Sequence, residues 1–170
     1  GLGVHAREEF PELFGPEDLK AQREVVRTVG AWWPELERLP RTLIHNDFNP
    51  RNLCLRPVDG GHRLCAYDWE LATLGVPQHD VAELLCFVLE PGVEPGRVAH
   101  HLEVHRAALE AASGVPVSRE LAERAFRLSL KDLATNRLAM YVMAHTFRHY
   151  AFMDRVVRTT RSLLGIGVGR

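Results

Sequence analysis

Residues that favour strands fall in one short stretch of this 170-residue chain. Thr42-Leu43-Ile44, Leu53-Cys54-Leu55 and Arg63 to Tyr67 are short apolar or β-branched runs. Between the last two, Pro57-Val58-Asp59-Gly60-Gly61 has the glycines of a hairpin loop. The stretch holds two or three short strands, and helices must supply the rest of the core. The fold class expected is α+β and mostly helical.

The helices can be placed by period. Leu19, Val26, Val29 and Trp33 recur at helical spacing, so a helix is expected over 17–33, with Pro16 at its start and Gly30 and Pro34 at its end. From Gln78 a stripe of Val81, Leu84, Leu85, Val88 and Leu89 marks another. Pro91 to Gly96 breaks it. A helix follows from Arg97 to Ala112, then the turn Ser113-Gly114-Val115-Pro116, with Ser118 as N-cap of the next helix. Arg119 to Leu164 has no Gly or Pro, too long for one ordinary helix, so two are expected.

Composition narrows the class. Apolar residues are 46% and charged residues 25%, the balance of a globular protein rather than a disordered one. No apolar run exceeds seven residues, far short of the ~20 residues of a membrane span, and no signal-peptide pattern is visible. Three cysteines without a C-x-x-C are expected as reduced, buried thiols of a cytoplasmic protein. Net charge is −1, which gives no preference for nucleic acid or membrane surfaces. After residue 96 there are 12 Lys and Arg against 6 Asp and Glu, while the rest carries 9 against 16. Trp32, Trp33 and Trp69 are expected as core or cleft walls.

The chemistry concentrates in His45-Asn46-Asp47-Phe48-Asn49-Pro50-Arg51-Asn52, a polar loop between two strands, and in Asp68-Trp69-Glu70 at the end of the third. Two acids and one amide are oxygen donors that suit a hard cation such as Mg²⁺. They do not suit zinc, which takes Cys and His at ligand spacing. Phosphoryl transfer needs an orienting, base-like residue for the attacking hydroxyl and metal for the phosphates. One Asp for the hydroxyl, then one Asn and one Asp for metal, is a sufficient set.

The pattern His45-x-Asp47-x-x-x-x-Asn52, followed by Asp68-Trp69-Glu70, resembles the aminoglycoside phosphotransferase and choline kinase group of the protein-kinase-like superfamily. Protein kinases follow the metal Asp with Phe-Gly. They also have a Lys two residues after the catalytic Asp, where Asn49 stands here. The likeness runs from Leu43 to Leu85 and includes Gln78-His79-Asp80-Val81-Ala82-Glu83. It implies a protein-kinase-like C-terminal lobe with a small β-hairpin sheet at the catalytic cleft, and ATP- and Mg²⁺-dependent phosphorylation of a hydroxyl on a small molecule. It implies Asp47 as catalytic base and Asn52 and Asp68 as ligands of Mg²⁺ bridging the ATP phosphates. It gives His45 and Asp80 structural roles, and leaves the role of Glu70 open.

The group also has an N-terminal nucleotide lobe with a Gly-rich loop and a strand Lys. Here the only lysines are Lys20 and Lys131, both in expected helices, and the Gly-rich stretch Gly165-Ile166-Gly167-Val168-Gly169 opens no helix. Gly1 is not a methionine, and Leu2 to Ala6 resembles the helix after the hinge. Residues 1–170 are therefore expected to be the C-terminal lobe. Its partners would be the N-terminal lobe of the same parent and a small hydroxyl acceptor. The alternative is a non-catalytic kinase-like binding or regulatory module. His79-Asp80 alone would also suit a helical His-Asp phosphohydrolase. His100, His101 and His105 are expected as surface histidines. Arg137, Tyr141, His145 and Arg148 share a helix face that could wall an acceptor pocket, and the basic back half points to a neutral or anionic acceptor.

Overall fold

The structure, a computed structural model, describes residues 2–165. The glycine-rich stretch expected not to form a phosphate loop lies, beyond Gly165, outside the described residues. The fold is α+β and mostly helical. Three helices come first, α1 (Leu2–Glu9), α2 (Pro16–Arg27) and α3 (Val29–Arg38). Four strands follow, β1 (Thr42–Ile44), β2 (Leu53–Val58), β3 (Gly61–Ala66) and β4 (Thr73–Gly75). Five helices complete the described chain: α4 (Gln78–Val88), α5 (Pro95–Ser113), α6 (Arg119–Thr135), α7 (Arg137–Phe147) and α8 (Met153–Leu164).

The strands make two separate antiparallel pairs, β1 with β4 and β2 with β3. The β2–β3 hairpin turns through Asp59-Gly60, with Gly60 at φ +83°. Strand β4 was not expected from sequence. It is three residues long and exists by pairing with β1 about 30 residues earlier, which no local pattern reports. Gly75 stands opposite Thr42, and a Cβ there would lie 2.3 Å from Cδ1 and 2.9 Å from Cγ1 of the buried Ile44, whose side chain would have to shift.

Several helix limits differ from expectation. The helix expected over 17–33 is two helices broken at Thr28, whose hydroxyl folds back onto the Glu24 and Val25 carbonyls. Pro34 and Gly30 end nothing and lie inside α3. Val26 and Val29 are exposed, and the buried face is Leu19, Trp32 and Leu36. The Trp32 indole donates to Val25 O across the break, 3.0 Å away. Residues 119–164 form three helices rather than two. The break at Asn136 needs no glycine, since Asn136 donates to Asp132 and the Thr135 hydroxyl to the Lys131 and Asp132 carbonyls. The break before α8 is held by Tyr150 N–H donating to His145 Nδ1. Ser118 caps α6 by accepting Leu121 N–H. In α4 the buried residues are Gln78, His79, Ala82, Glu83, Leu85, Cys86 and Phe87, while Val88 is exposed. That helix is covered on most sides rather than along one stripe.

Three apolar clusters hold the helices together. α4, α6 and α8 meet at Leu85, Phe87, Phe126, Leu130 and Val156. α1, α7 and α8 meet at Ala6, Val142, Met153 and Val157. α3 and α6 meet at Trp32, Leu36, Ala125 and Leu128. α4 is thus fixed from several sides, and it is the helix that faces the polar loop. Two cross-strand leucine pairs stay outside these clusters. Leu43 faces Leu74, and Leu55 faces Leu64, and all four are more than half exposed.

Of the cysteines, only Cys86 is buried; Cys54 is exposed and Cys65 half-buried, so the expectation of three buried thiols fails. The two lie on a two-stranded hairpin that is a sheet separate from the β1–β4 pair. No helix among the described residues is long and apolar enough to cross a membrane.

Candidate active site

The polar loop leaves β1 at Ile44 and enters β2 through a short 3-10 turn, Pro50–Asn52. A loop this polar stays ordered only if its backbone groups find partners. α4 supplies them. Asp80 accepts the N–H of His45 at 2.7 Å with one oxygen and that of Asn46 at 2.9 Å with the other. One turn on, Glu83 accepts the N–H of Phe48 at 3.0 Å. Residues three apart share a helix face, so both carboxylates reach the same loop. Asn46 sits in the left-handed region at φ +60°, and Arg137 from α7 donates to its carbonyl. His45 is buried, and its Nε2–H donates to Tyr67 O at 2.8 Å, tying the loop to the end of β3. The Trp69 ring lies 4.6 Å from that imidazole.

Asp47 is held from three positions. Asn49 Nδ2 donates to its Oδ1 at 2.9 Å, Tyr141 Oη lies 3.2 Å from the same oxygen with its one proton shared between Asp47 and Glu83, and Asn52 Nδ2 donates to Oδ2 at 2.7 Å. Asn49 is itself fully buried and accepts the Arg51 backbone N–H and Nε at 3.2 and 3.0 Å. The Arg51 guanidinium stands 3.8 Å from Asp47 and packs over the rings of Phe87, Tyr141 and Phe152. Such stacking suits a planar, weakly hydrated cation.

Asn52 spends its amide nitrogen on the Asp47 side chain and carbonyl, which leaves its Oδ1 as the oxygen free to bind. Its own carbonyl accepts Tyr67 N–H at 3.0 Å, so Asn52 and Asp68 leave the same hairpin root. Asp68 is exposed and left-handed at φ +63°, and its carboxylate has no hydrogen bond or ion pair among the described residues. Asn46 and Asp68 are the two described non-glycine residues with positive φ, and both sit in this site. An amide oxygen and an unpaired carboxylate fit Mg²⁺, which takes few protein oxygens and fills its remaining positions with phosphate and water. Among the described residues no cluster of three or more His, Cys, Asp or Glu is placed to hold a metal without such help. Glu70 is exposed, and its carboxylate has no hydrogen bond or ion pair among the described residues.

Two residues at the centre of the site had no role at Asp47 assigned from sequence: Glu83, which lay within the family-like segment, and Tyr141, expected only as part of an acceptor wall. Glu83 is fully buried, accepts the Tyr141 hydroxyl at 2.9 Å and lies 3.9 Å from Arg137. Burial pushes its carboxyl above the ordinary range, against the opposing pull of Arg137 and the Tyr141 hydrogen bond. Burial beside Glu83 and Asp47 likewise raises the Tyr141 phenol. The i, i+3 spacing of Asp80 and Glu83 was the available clue. The expected wall of Arg137, Tyr141, His145 and Arg148 divides. Arg137 and Tyr141 reach the loop, while His145 packs on Phe10 and His149 and Arg148 lies over Tyr150. His79 pairs with Asp132 at 3.5 Å while Asp80 serves the loop amides, so the two do not converge as a phosphohydrolase metal pair would. His105 is half-buried rather than a surface histidine, and burial lowers its basicity. Trp32 lies in the core.

Compared with known families, residues 4–111, more than half of the chain, match the family described as phosphotransferase enzyme family. No curated protein and no solved structure matches the chain.

Proposed function

The chain belongs to the phosphotransferase enzyme family, and from that premise we propose that it carries the catalytic part of an enzyme moving the γ-phosphoryl group of ATP to a hydroxyl of a small molecule. The observation that carries this reading is the three-point hold on Asp47 by Asn49, Asn52 and Tyr141. A carboxylate fixed in this way is suited to orienting one nucleophile, and orientation is what phosphoryl transfer asks of a protein. Asp47 receives the proton of the acceptor hydroxyl as that oxygen bonds to phosphorus. The bond from phosphorus to the bridging oxygen of ATP breaks, and ADP leaves. Asn52 Oδ1 and the Asp68 carboxylate would hold Mg²⁺, which when bound neutralises phosphate charge. His45 and Asp80 shape the loop without touching the reacting atoms. Arg51 beside Asp47 favours a neutral or anionic acceptor over a polycationic one.

The remaining nucleotide contacts belong, in this reading, to an N-terminal lobe of the same parent, in a cytoplasmic enzyme of kinase-like architecture. The exposed pairs Leu43–Leu74 and Leu55–Leu64 support a seat for it, since apolar side chains that face each other in the open are usually covered in use. The chain alone would then bind ATP weakly and turn over little.

A second reading is a non-catalytic kinase-like module. A screen of hydroxyl acceptors, run on the full-length protein with ATP and Mg²⁺, separates the two. Acceptor-dependent ADP release that falls at least ~10²-fold in Asp68→Asn supports the enzyme. Nucleotide binding with no release of ADP for any acceptor supports the module.

A further inference from the structure

The hairpin that carries Asn52 and Asp68 at its root holds a second pair of reactive groups. Cys54 in β2 stands directly opposite Cys65 in β3. Opposed residues of an antiparallel pair project from the same face. Tyr67 N–H bonds to Asn52 O at the root, so residues 52 and 67 stand at a hydrogen-bonding position of the ladder. Pairs of this kind alternate along the ladder, and 54 with 65, two steps further, is another. Its Cα atoms are therefore about 5.5 Å apart. A disulfide spans roughly 4.4–6.8 Å.

In a hydrogen-bonded pair the Cβ atoms stand about 5.5 Å apart, against about 3.8 Å in a relaxed disulfide. Closure must draw the two side chains together by roughly 1.5–2 Å, and a sheet with no third strand among the described residues can twist and yield that far. A bond formed under such strain is readily reduced again. Both thiols are free, and neither is buried. Cys86 differs on every count: it is buried, and burial pushes its thiol up to about 12.

We propose that Cys54 and Cys65 form a reversible dithiol site, which a small disulfide oxidant such as glutathione disulfide closes into an intrachain bond. One cysteine thiolate attacks the oxidant, forming a mixed disulfide and releasing one glutathione thiolate. The second cysteine thiolate attacks the cysteine sulfur of that mixed disulfide and releases the other. Two protein thiols are oxidised, the oxidant is reduced to two thiols, and the two cysteine protons end on them. The bond lies two residues from Asn52 and three from Asp68, so it pins the hairpin root without altering either side chain. This site stands whether or not the chain transfers phosphate.

The test incubates the purified protein with glutathione disulfide, blocks free thiols by alkylation, and digests after Lys, Arg and Glu. The expected result is loss of both the Cys54 and Cys65 thiols, with the segment Asn52–Arg63 joined to Leu64–Glu70. Cys86 stays reduced, and dithiothreitol reverses the bond. Cys54→Ser and Cys65→Ser each abolish the cross-link and leave a stable glutathione adduct on the remaining cysteine. Two stable adducts on the unaltered protein, or dimers of the chain in place of the internal bond, would overturn the proposal.

Discussion

Asp80 holds the backbone N–H of His45 at 2.7 Å from a helix 35 residues further along the chain. Its second oxygen takes the next N–H, that of Asn46. One side chain thereby satisfies two amides of a loop that has no sheet partners there. Asp80→Ala leaves both without acceptors, at a cost of about 1–3 kcal/mol each when buried, softened where water enters. The expected outcome is a lower denaturant midpoint together with a large loss of turnover. Asp80→Ala with unchanged stability would mean that the loop is held elsewhere.

Tyr141 bridges Glu83 and Asp47 through one hydroxyl, at 2.9 and 3.2 Å. Tyr141→Phe keeps the ring against Arg51 and removes that bridge. A destabilisation of about 1–2 kcal/mol is expected, with turnover reduced because Asp47 loses one of its three donors. Equal midpoints in chemical denaturation would contradict the bridge.

Glu83 gives a pH signature. Its folded pKa lies above the ordinary 4.5, chiefly through burial. Its contribution is therefore fully present below about pH 4.5 and is lost as pH rises through the raised folded value. Glu83→Gln does not titrate. The variant should gain stability relative to the natural protein as pH climbs from about 4.5 towards neutrality, then hold a constant difference. Denaturation midpoints of both proteins across that range check this, and a pH-independent difference would count against it.

Gly75→Ala places a Cβ 2.3 Å from Ile44 Cδ1. The buried Ile44 side chain must repack to admit it, for about 1–3 kcal/mol. A melting point unchanged from that of the natural protein would contradict the packing of Ile44 against Gly75.

What was legible in the sequence depended on how local its cause is. His45, Asp47, Asn52 and Asp68 are recognisable because a loop between two strands fixes their spacing, and the hairpin turn announces itself through Asp59-Gly60. Glu83 and Tyr141 were obscure because they come to Asp47 only when α4 and α7 pack on the loop, 36 and 94 residues away. The breaks at Thr28 and Asn136 escaped for a related reason. Side chains that bond back to the preceding turn make them, in place of glycine or proline. The exposure of Leu43, Leu55, Leu64 and Leu74 was equally invisible, since an apolar strand residue reads the same whether its face is covered or open.

Asp47 is the residue on which phosphoryl transfer turns. The most direct measurement compares acceptor-dependent ADP release by the full-length natural protein and by Asp47→Asn, with Mg²⁺ and ATP saturating and thermal midpoints recorded for both. Asp47→Asn is predicted to keep its fold and lose turnover by ~10²-fold or more, the scale of a base and orienting group. A folded Asp47→Asn protein that transfers phosphate at the natural rate would contradict the central claim.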